Sequence, residues 1–316
     1  MLALRVKNKR LAVRDVQRPD ADSEALVRVV LSGICNTDLE IARGYAGFNG
    51  TIGHEFVGVV EQSSNNKLLN QRVVGEINVG CGKCPLCLSE DPRHCPSRTV
   101  LGIVGRDGAH AEFLLLPLEN LVAVPEKVID EHAVFTEPLA AACGIVERTN
   151  IKADDRVAVI GDGKLGLMCA QVLALTSPVL LVGKHQTKLR IAQRRGIETT
   201  TPKDVASRGR EFDVVVEASG SPSGFAMALD LLRPKGRLVL KSTFHDTTEI
   251  DAARIVVDEI SIIGSRCGRF APALDLLKKG AIDVDSMISE EYALADGVHA
   301  MKRAKAKGIL KILLRP

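Results

Sequence analysis

The sequence of 316 residues predicts an α/β protein with a mostly-β domain and a doubly wound parallel sheet. Three observations carry this prediction. Short β-type runs between turn residues fill the first part of the chain, and strand and helix patterns alternate from Arg156 onward. A glycine-rich turn joins the first strand of that alternation to its helix. The length is sufficient for two hydrophobic cores.

The first part of the chain reads as β-structure because apolar, β-branched runs are bounded by polar turns such as Ser63–Asn66. The predicted strands are 25–30, 56–60, 72–74 and 111–115. The strand 56–60 directly follows the pair His54-Glu55. This pair therefore lies at the mouth of a buried strand.

Two further candidate metal ligands accompany His54 in the sequence. Cys35 lies upstream in a Gly-Ile-Cys-Asn-Thr-Asp segment, and Glu137 lies downstream in Phe-Thr-Glu-Pro-Leu. A thiolate, an imidazole and a carboxylate are ligands that hold catalytic zinc and leave its fourth position open. An isolated histidine is more often a satisfied core or surface residue, and the sequence alone does not bring the three together. Their combination favours a metal site.

A cluster of four cysteines forms the most specific motif of the chain. The spacing is C-x2-C-x2-C-x7-C, formed by Cys81, Cys84, Cys87 and Cys95. Four thiolates on a turn-rich loop can surround one tetrahedral ion, and a set without a vacancy is structural. The alternatives are a disulfide pair, or His94 replacing one thiolate as a ligand. Such a zinc would order a loop that is too poor in apolar residues to fold by burial.

The glycine-rich turn lies between the predicted strand 156–160 and the predicted helix 167–175. In this context G-x-G-x-x-G is typical of dinucleotide binding, because the glycines let the backbone approach a pyrophosphate at a helix N-terminus. A tight turn without a ligand is the alternative. The alternation continues with strands 179–182, 212–220, 237–240 and 260–264 and helices 187–195 and 224–232. The predicted coenzyme contacts in this turn are Gly161, Gly163, Lys164, Leu165 and Gly166.

The end of the second strand in this alternation predicts a preference for NADP over NAD. NAD-binding versions of such a sheet carry an Asp or Glu there, which binds the adenosine ribose. Here Gly183 and Lys184 follow the strand, and no acidic residue occurs from Gly163 to Ile197. A glycine leaves room for a 2′-phosphate and a lysine offers a charged donor. The alternative is that Lys184 is a solvated turn residue and both coenzymes bind.

Composition excludes several other classes of function. The net charge of +3 and the absence of Trp argue against nucleic acid as a partner. The C-terminal basic residues read as a solvated helix face before a final strand, 308–314. The start lacks a signal-peptide pattern, and the uncharged stretch 165–183 reads as a buried helix, turn and strand rather than a membrane span. We therefore expect a cytoplasmic protein with reduced or metal-bound cysteines. The basic residues are Lys302, Arg303, Lys305, Lys307, Lys311 and Arg315.

Taken together, these motifs and their order closely resemble the zinc-dependent medium-chain alcohol dehydrogenases, nearly from end to end. The resemblance implies a GroES-like catalytic domain, 1–138 and 268–316, and a Rossmann coenzyme domain, 139–267. It also implies a homodimer or homotetramer, with one catalytic and one structural zinc ion per chain.

The resemblance further assigns roles to the individual residues of the catalytic site. Cys35, His54 and Glu137 would bind the catalytic zinc, and Thr37 would start a proton relay. Glu55 would be an alternating zinc ligand or a carboxylate that holds the zinc site in place. The alternative without a role at zinc is a strand residue in a salt bridge. Glu40 stands where simple alcohol dehydrogenases often carry a histidine. With a Glu as third ligand, this suggests the polyol, threonine and glucose dehydrogenase branch, although Glu40 is equally interpretable as a solvated carboxylate.

The expected reaction is hydride transfer between an alcohol (a polyol, a sugar or a secondary alcohol) and NADP, with NAD also possible. Three alternatives remain open at this point. They are a non-catalytic nucleotide-binding protein on the same fold, an NAD-linked simple alcohol dehydrogenase, and a zinc-free quinone reductase. The cysteine cluster and the His-Glu pair argue against the last of these.

Overall fold

The computed structural model describes residues 1–89, 91–243 and 247–316. The chain divides into two compact units. One consists of Met1–Glu137 with Phe270–Pro316, and the other is Pro138–Arg269. The boundaries predicted from the sequence lie at 138/139 and 267/268.

The first unit is built mainly from short strands because its β-branched runs are interrupted by glycine and polar turns. Its helices up to the unit boundary are α1 (Asn36–Arg43), α2 (Pro85–Leu88), α3 (Asp130–Ala133) and the start of α4 (Thr136–Arg148). Its strands in this part are β1 (Leu2–Lys7), β2 (Arg10–Asp15), β3 (Ala25–Gly33), β4 (Gly50–Thr51), β5 (Glu55–Gln62), β6 (Arg72–Gly75), β7 (Asn78–Val79), β8 (Thr99–Leu101), β9 (Gly105–Arg106), β10 (Phe113–Leu116) and β11 (Leu121–Ala123).

The second unit is a six-stranded parallel sheet covered by helices. The predicted parallel sheet is confirmed, and Glu198–Thr200 adds a strand to the five predicted ones. Its central strands are buried along their whole length, which is typical of a parallel sheet with helices on both faces. Its strands are β12 (Val157–Ile160), β13 (Val179–Val182), β14 (Glu198–Thr200), β15 (Phe212–Glu217), β16 (Leu232–Leu240) and β17 (Ser261–Gly264). Its further helices are α5 (Lys164–Leu173), α6 (Gln186–Arg194), α7 (Pro202–Val205), α8 (Pro222–Leu231) and α9 (Ala252–Val257).

The strand order in this sheet is β14-β13-β12-β15-β16-β17. This is the doubly wound arrangement in which the order reverses beside the first strand, where such sheets bind dinucleotides. The predicted Rossmann arrangement of the second unit is therefore confirmed. Beyond Arg269 the chain adds α10 (Phe270–Lys278), β18 (Ile288–Ala293), α11 (Gly297–Arg303) and β19 (Lys311–Arg315) to the first unit.

The largest sheet of the first unit positions the ends of three strands together. Its order is β11-β6-β5-β3-β19-β18, with β10 also paired to β3. Gly33, at the end of β3, pairs with Glu55 at the start of β5 and with Leu313 in β19. The two segments that carry Glu55 and Lys311 therefore flank the end of β3, although they lie far apart in sequence.

Several boundaries differ from the sequence-based prediction. β10 begins two residues later than predicted. β16 begins at Leu232, five residues before the predicted strand 237–240, with an irregular register against β15. β18 was not predicted because its Ile-Ser-Glu-Glu-Tyr-Ala sequence contains two glutamates, which are depleted in strands. Over the described ranges, no helix has both the length and the apolar character needed to cross a bilayer.

Candidate metal centres and coenzyme site

The four predicted structural cysteines converge in the loop between β7 and β8. The ligand atoms of Cys81, Cys84, Cys87 and Cys95 all lie within 4.8 Å of one another. The Sγ atom of Cys84 is 3.5 Å from that of Cys87 and 3.7 Å from that of Cys95. Thiolates around a tetrahedral zinc lie roughly 3.8 Å apart, given Zn–S bonds of about 2.3 Å. The four thiols therefore fit a closed zinc site.

The thiols are too far apart for the disulfide alternative, and none of the eight cysteines forms a disulfide in the part of the chain that the structure describes. Backbone hydrogen bonds from Lys83 and Cys84 lower the pKa of Cys81 to about 6, which favours the thiolate that a metal requires. His94 does not belong to the group of ligand atoms. It lies 3.6 Å from Asp91, with which it can form an ion pair, and its side chain is 43% exposed.

A second group of potential ligands forms where β3 ends and β5 begins. The ligand atoms of Cys35, His54 and Glu55 lie within 4.8 Å of one another. His54 and Glu55 are buried, whereas Cys35 is partly exposed at the start of α1. Three donors with one accessible side are the arrangement of an open zinc site.

Glu55 contributes one engaged oxygen and one free oxygen to this group. Its Oε2 atom accepts a hydrogen bond from Nζ of Lys311, and both side chains are fully buried. Its Oε1 atom is buried and has no hydrogen-bond partner in the described part of the chain. A buried carboxylate oxygen without a donor is costly unless a cation satisfies it. This oxygen therefore supports a fit between the group and a metal ion.

Asp38, in α1, holds the segments that carry the ligands. Its Oδ2 atom accepts the backbone N–H of Cys35 at 2.8 Å, and its Oδ1 atom accepts that of Gly53 at 3.2 Å. Oδ1 also lies 3.4 Å from Nδ1 of His54. With Nδ1 facing a carboxylate, Nε2 is the ring atom left for a metal, which is the common arrangement of zinc-binding histidines.

Electrostatics follow from this geometry. Burial opposes ionisation of Asp38, but His54 and His110 hold the pKa of its carboxyl well below the usual range. Burial alone would lower the pKa of His54, but Asp38 and Cys35 raise it above its ordinary value. Burial likewise opposes the charge of Lys311, and Glu55 keeps its pKa raised. The charged groups around Asp38 and around Lys311 are thus arranged in opposed pairs.

The other predicted catalytic residues lie around this group. Glu137, in the first turn of α4, is not within the 4.8 Å set of ligand atoms. Burial raises its pKa to about 7, which His54 opposes and Glu55 reinforces, so its charge interacts with the site. Thr37 places its Oγ1 atom 3.8 Å from Sγ of Cys35. Glu40 forms an ion pair with Arg43 on the same helix, and its side chain is partly exposed.

The structure corrects one sequence-based expectation here. Lys311 is not part of a solvated basic face, because it is fully buried and paired with Glu55. A signal was available in the sequence. A single lysine inside the apolar run Ile-Leu-Lys-Ile-Leu-Leu is expected to be paired, since buried lysines are rare without a partner. Asp38 and His110 carried no comparable signal.

The glycine-rich turn of the second unit fits a dinucleotide. Gly161 has a φ of +119°, and a Cβ there would lie 2.6 Å from the carbonyl oxygen of Ala218. A Cβ on Gly163 would meet nothing within 4 Å, so this side of the turn is open. Gly163 is also the N-cap of α5 and offers no side chain to the first N–H groups. Lys164 and Leu165 are the first two residues of this helix, and backbone N–H groups at a helix start suit a pyrophosphate.

The third glycine of the motif serves packing rather than ligand contact. A Cβ on Gly166 would lie 1.9 Å from the carbonyl oxygen of Gly161. Only glycine permits this close approach of the helix to the turn.

The space beside Gly183 is not open, contrary to the sequence-based expectation. A Cβ on Gly183 would lie 2.6 Å from the Cβ and 2.8 Å from the Oδ2 of Asp162, so Asp162 fills this space. The same oxygen accepts the backbone N–H groups of Lys184 and His185, at 2.7 and 2.6 Å. Asp162 also lies 3.0 Å from Nδ1 of His185. A carboxylate is therefore present at the turn, supplied by the glycine motif and engaged by three donors.

Comparison with known proteins identifies the family. Residues 21–126 match the family described as the alcohol dehydrogenase GroES-like domain, and residues 163–279 match the zinc-binding dehydrogenase family. The chain belongs to the zinc-dependent medium-chain alcohol dehydrogenases. It is, by this membership, an NAD(P)-linked oxidoreductase of alcohols or polyols.

Three similar proteins cover nearly the whole chain. The sorbitol dehydrogenase of Halalkalibacterium halodurans is 31% identical, over 92% of this chain and 91% of its own. A protein of Sinorhizobium meliloti described as a zinc-binding dehydrogenase, solved with NADP, is 30% identical with a TM-score of 0.92, covering 100% and 99% of the two chains. RspB of Escherichia coli, solved with NADH, is 28% identical with a TM-score of 0.91 and the same coverage.

Proposed function

We propose that the chain oxidises a polyol, sugar or secondary alcohol to the corresponding carbonyl compound and passes the hydride to NADP. The observation that carries this proposal is the group of Cys35, His54 and the unpartnered Oε1 of Glu55. A binding protein without catalysis has no need for an open set of metal ligands. The polyol class is supported by relatives named sorbitol and erythritol/L-threitol dehydrogenase.

The bound zinc would act as a Lewis acid on the alcohol oxygen, and the bound nicotinamide would accept the hydride. Cys35 and His54 would hold the zinc, with Glu137 or Glu55 as the carboxylate ligand. Asp38 keeps the His54 ring oriented, and Lys311 balances the charge of Glu55. Thr37 would take the hydroxyl proton toward solvent. The products are the carbonyl compound, the reduced coenzyme and one proton.

The proposal is tested by a screen of polyols, aldoses and secondary alcohols with each coenzyme. The absorbance of the reduced nicotinamide measures turnover. We expect turnover with members of one of these classes and zinc retained in the protein. A protein that binds the coenzyme but neither oxidises any alcohol nor reduces any carbonyl compound would favour the non-catalytic alternative.

NADP as the preferred coenzyme is proposed on the basic character of the turn after β13. Lys184 is exposed, and His185 turns its Nδ1 atom toward Asp162. Since Asp162 is already engaged by three donors, Lys184 is the charged group free to meet a 2′-phosphate. The relative from Sinorhizobium meliloti was solved with NADP, which agrees with this proposal.

We expect the wild type to bind adenosine 2′,5′-bisphosphate about tenfold more tightly than adenosine 5′-monophosphate, as a charged hydrogen bond would give. Lys184→Ala should lose most of this difference. Lys152→Ala removes the same charge before β12, at the opposite end of that strand from the glycine motif, and should keep the difference. Calorimetric titration of both nucleotides measures it. Equal binding by the wild type would contradict the NADP preference without touching the proposed reaction.

A homodimer or homotetramer is proposed from the free edge of the parallel sheet. β17 is an edge strand of this sheet, and its side chains are mostly exposed. Val256 and Val257, just before it, are 75% and 81% exposed. Exposed apolar residues beside an open strand edge are typical of an interface. Sedimentation of the wild type and Val257→Lys tests this; a monomeric wild type would refute it.

A cytoplasmic location is proposed because the described residues include no disulfide among the eight cysteines, and fractionation of the source cells checks it.

A further inference from the structure

His110 is a fully buried histidine that the proposed reaction does not use. It lies just before β10, and its main chain is fixed on both sides. Its N–H donates to the carbonyl of Ile52 at 2.9 Å, and its carbonyl accepts the N–H of Leu4 at 2.8 Å. A buried imidazole has two nitrogens that need partners, so the surroundings of its ring indicate what it does.

The ring of His110 lies between Ser32 and Asp38. Its Nδ1 atom is 2.9 Å from Oγ of Ser32, and its Nε2 atom is 3.5 Å from Oδ2 of Asp38. In the described part of the chain Nε2 makes no hydrogen bond, so the Asp38 carboxylate at 3.5 Å is a close charge contact rather than a formed hydrogen bond. Since Nε2 faces a carboxylate, we assign the proton to Nε2, and Ser32 then donates to Nδ1.

Gly53 leaves the space that the ring occupies on one side. A Cβ on Gly53 would lie 2.6 Å from Cγ and Nδ1 of His110, and the residue has a φ of +99°. Any larger residue would displace the imidazole. The residue that precedes the ligand His54 is therefore in direct contact with His110.

The carboxylate of Asp38 joins the two histidines symmetrically. Oδ1 accepts the N–H of Gly53 and faces Nδ1 of His54, whereas Oδ2 accepts the N–H of Cys35 and faces Nε2 of His110. The two imidazole nitrogens lie 3.4 and 3.5 Å from the carboxylate, as close charge contacts that do not meet hydrogen-bond geometry. Without His110, the Oδ2 side of the carboxylate would keep only the backbone N–H of Cys35.

We propose that His110 is a positioning residue of the catalytic zinc site, which acts through Asp38 on His54 and Cys35. This inference rests on the proposed function, because it requires zinc at Cys35 and His54. The series of side-chain contacts leads from Ser32 to His110, then to Asp38 and to the two ligands. All of these residues are buried except Cys35, which is partly exposed. Groups that orient zinc ligands in this way typically contribute 10- to 100-fold to metal affinity.

The test compares two substitutions that keep the ring volume or the donor. His110→Phe fills the space without an N–H, whereas His110→Gln retains a donor near the position of Nε2. We expect His110→Phe to weaken zinc binding at the open site by about 10- to 100-fold, and His110→Gln to stay within a few-fold of the wild type. His132→Phe is the control, because His132 pairs with Asp285 at 2.7 Å outside both metal sites.

Two readouts separate positioning from general stability. Competition with a chelator gives the affinity of the open site while the four-cysteine site stays loaded. The absorption of Co²⁺ exchanged into the open site reports its ligand geometry, and we expect it to change in His110→Phe and to return in His110→Gln. Should His110→Phe fail to fold, Ser32→Ala carries the same test, since it removes the donor to Nδ1 and should weaken zinc measurably.

Unchanged zinc affinity in His110→Phe, or in Ser32→Ala where that variant carries the test, would overturn the proposal. Equal weakening in His110→Phe and His110→Gln would also overturn it, because only packing would then matter. A wild type that holds zinc at the four cysteines alone would overturn this proposal and the proposed function together. Two zinc ions with no effect at His110 would overturn this proposal only.

Discussion

His54→Ala will abolish alcohol oxidation in a chain that stays folded, whereas Cys84→Ala will first cost stability. The reason is the difference between an open and a closed metal site. Loss of a Lewis acid worth several kcal/mol corresponds to a fall in kcat/KM of at least about 10³-fold. Loss of a closed zinc site removes folding free energy, and we expect Cys84→Ala to lower Tm by about 5 °C or more, where 5 °C corresponds to about 3 kcal/mol for a chain of this size.

Matched controls exist in the same chain. His94→Ala removes a histidine next to Cys95 that lies outside the ligand group, and it should keep both activity and zinc. Cys169→Ala removes a buried thiol that belongs to neither group of potential metal ligands, so its smaller loss of stability measures packing alone. Equal losses of Tm in His54→Ala and Cys84→Ala, with activity retained in the former, would refute the assignment of the two sites.

Lys311→Met will destabilise the first unit strongly, because it leaves Glu55 buried without its cation. Breaking a buried ion pair by removing one partner typically costs about 3–5 kcal/mol. Gly33 already yields the space that the pair needs, since a Cβ there would lie 2.8 Å from Oε2 of Glu55. Urea unfolding of protein from which a chelator has removed only the open-site zinc measures the loss without compensation by that metal.

The double variant Glu55→Gln with Lys311→Met isolates the cause. It removes both charges, and we expect it to recover a large part of the stability that Lys311→Met loses. Lys307→Met, at an exposed position four residues upstream, should change the free energy of unfolding by less than about 0.5 kcal/mol. A Lys311→Met protein as stable as the Lys307→Met control would contradict the buried pair.

Features whose cause lies in local sequence were predictable. The parallel sheet followed from alternating patterns, and the four thiols lie within 15 residues of each other, so spacing alone indicated their convergence. Gly161, Gly163 and Gly166 are glycines for three different local reasons, namely a left-handed φ, an open side and close packing. Periodicity and spacing report such constraints directly.

Features that depend on distant contacts were not predictable. Lys311 meets Glu55 across 256 residues of sequence because β3 lies between their strands. The carboxylate at the end of β13 comes from Asp162, one strand earlier, so the absence of an acidic residue after the strand gave a wrong expectation of free space. In both cases the pairing of strands, and not the local pattern, decides which groups meet.

The proposed division of roles is that an open-site zinc performs alcohol oxidation while a second zinc, at the four cysteines, stabilises the fold. It is tested most directly by measuring zinc per chain and alcohol oxidation together while a chelator removes the more weakly held metal. We predict two zinc ions at the start, activity that falls in proportion to the loss of the first, and recovery when Zn²⁺ is returned. Full activity in a chain that retains only the four-cysteine zinc would contradict the account.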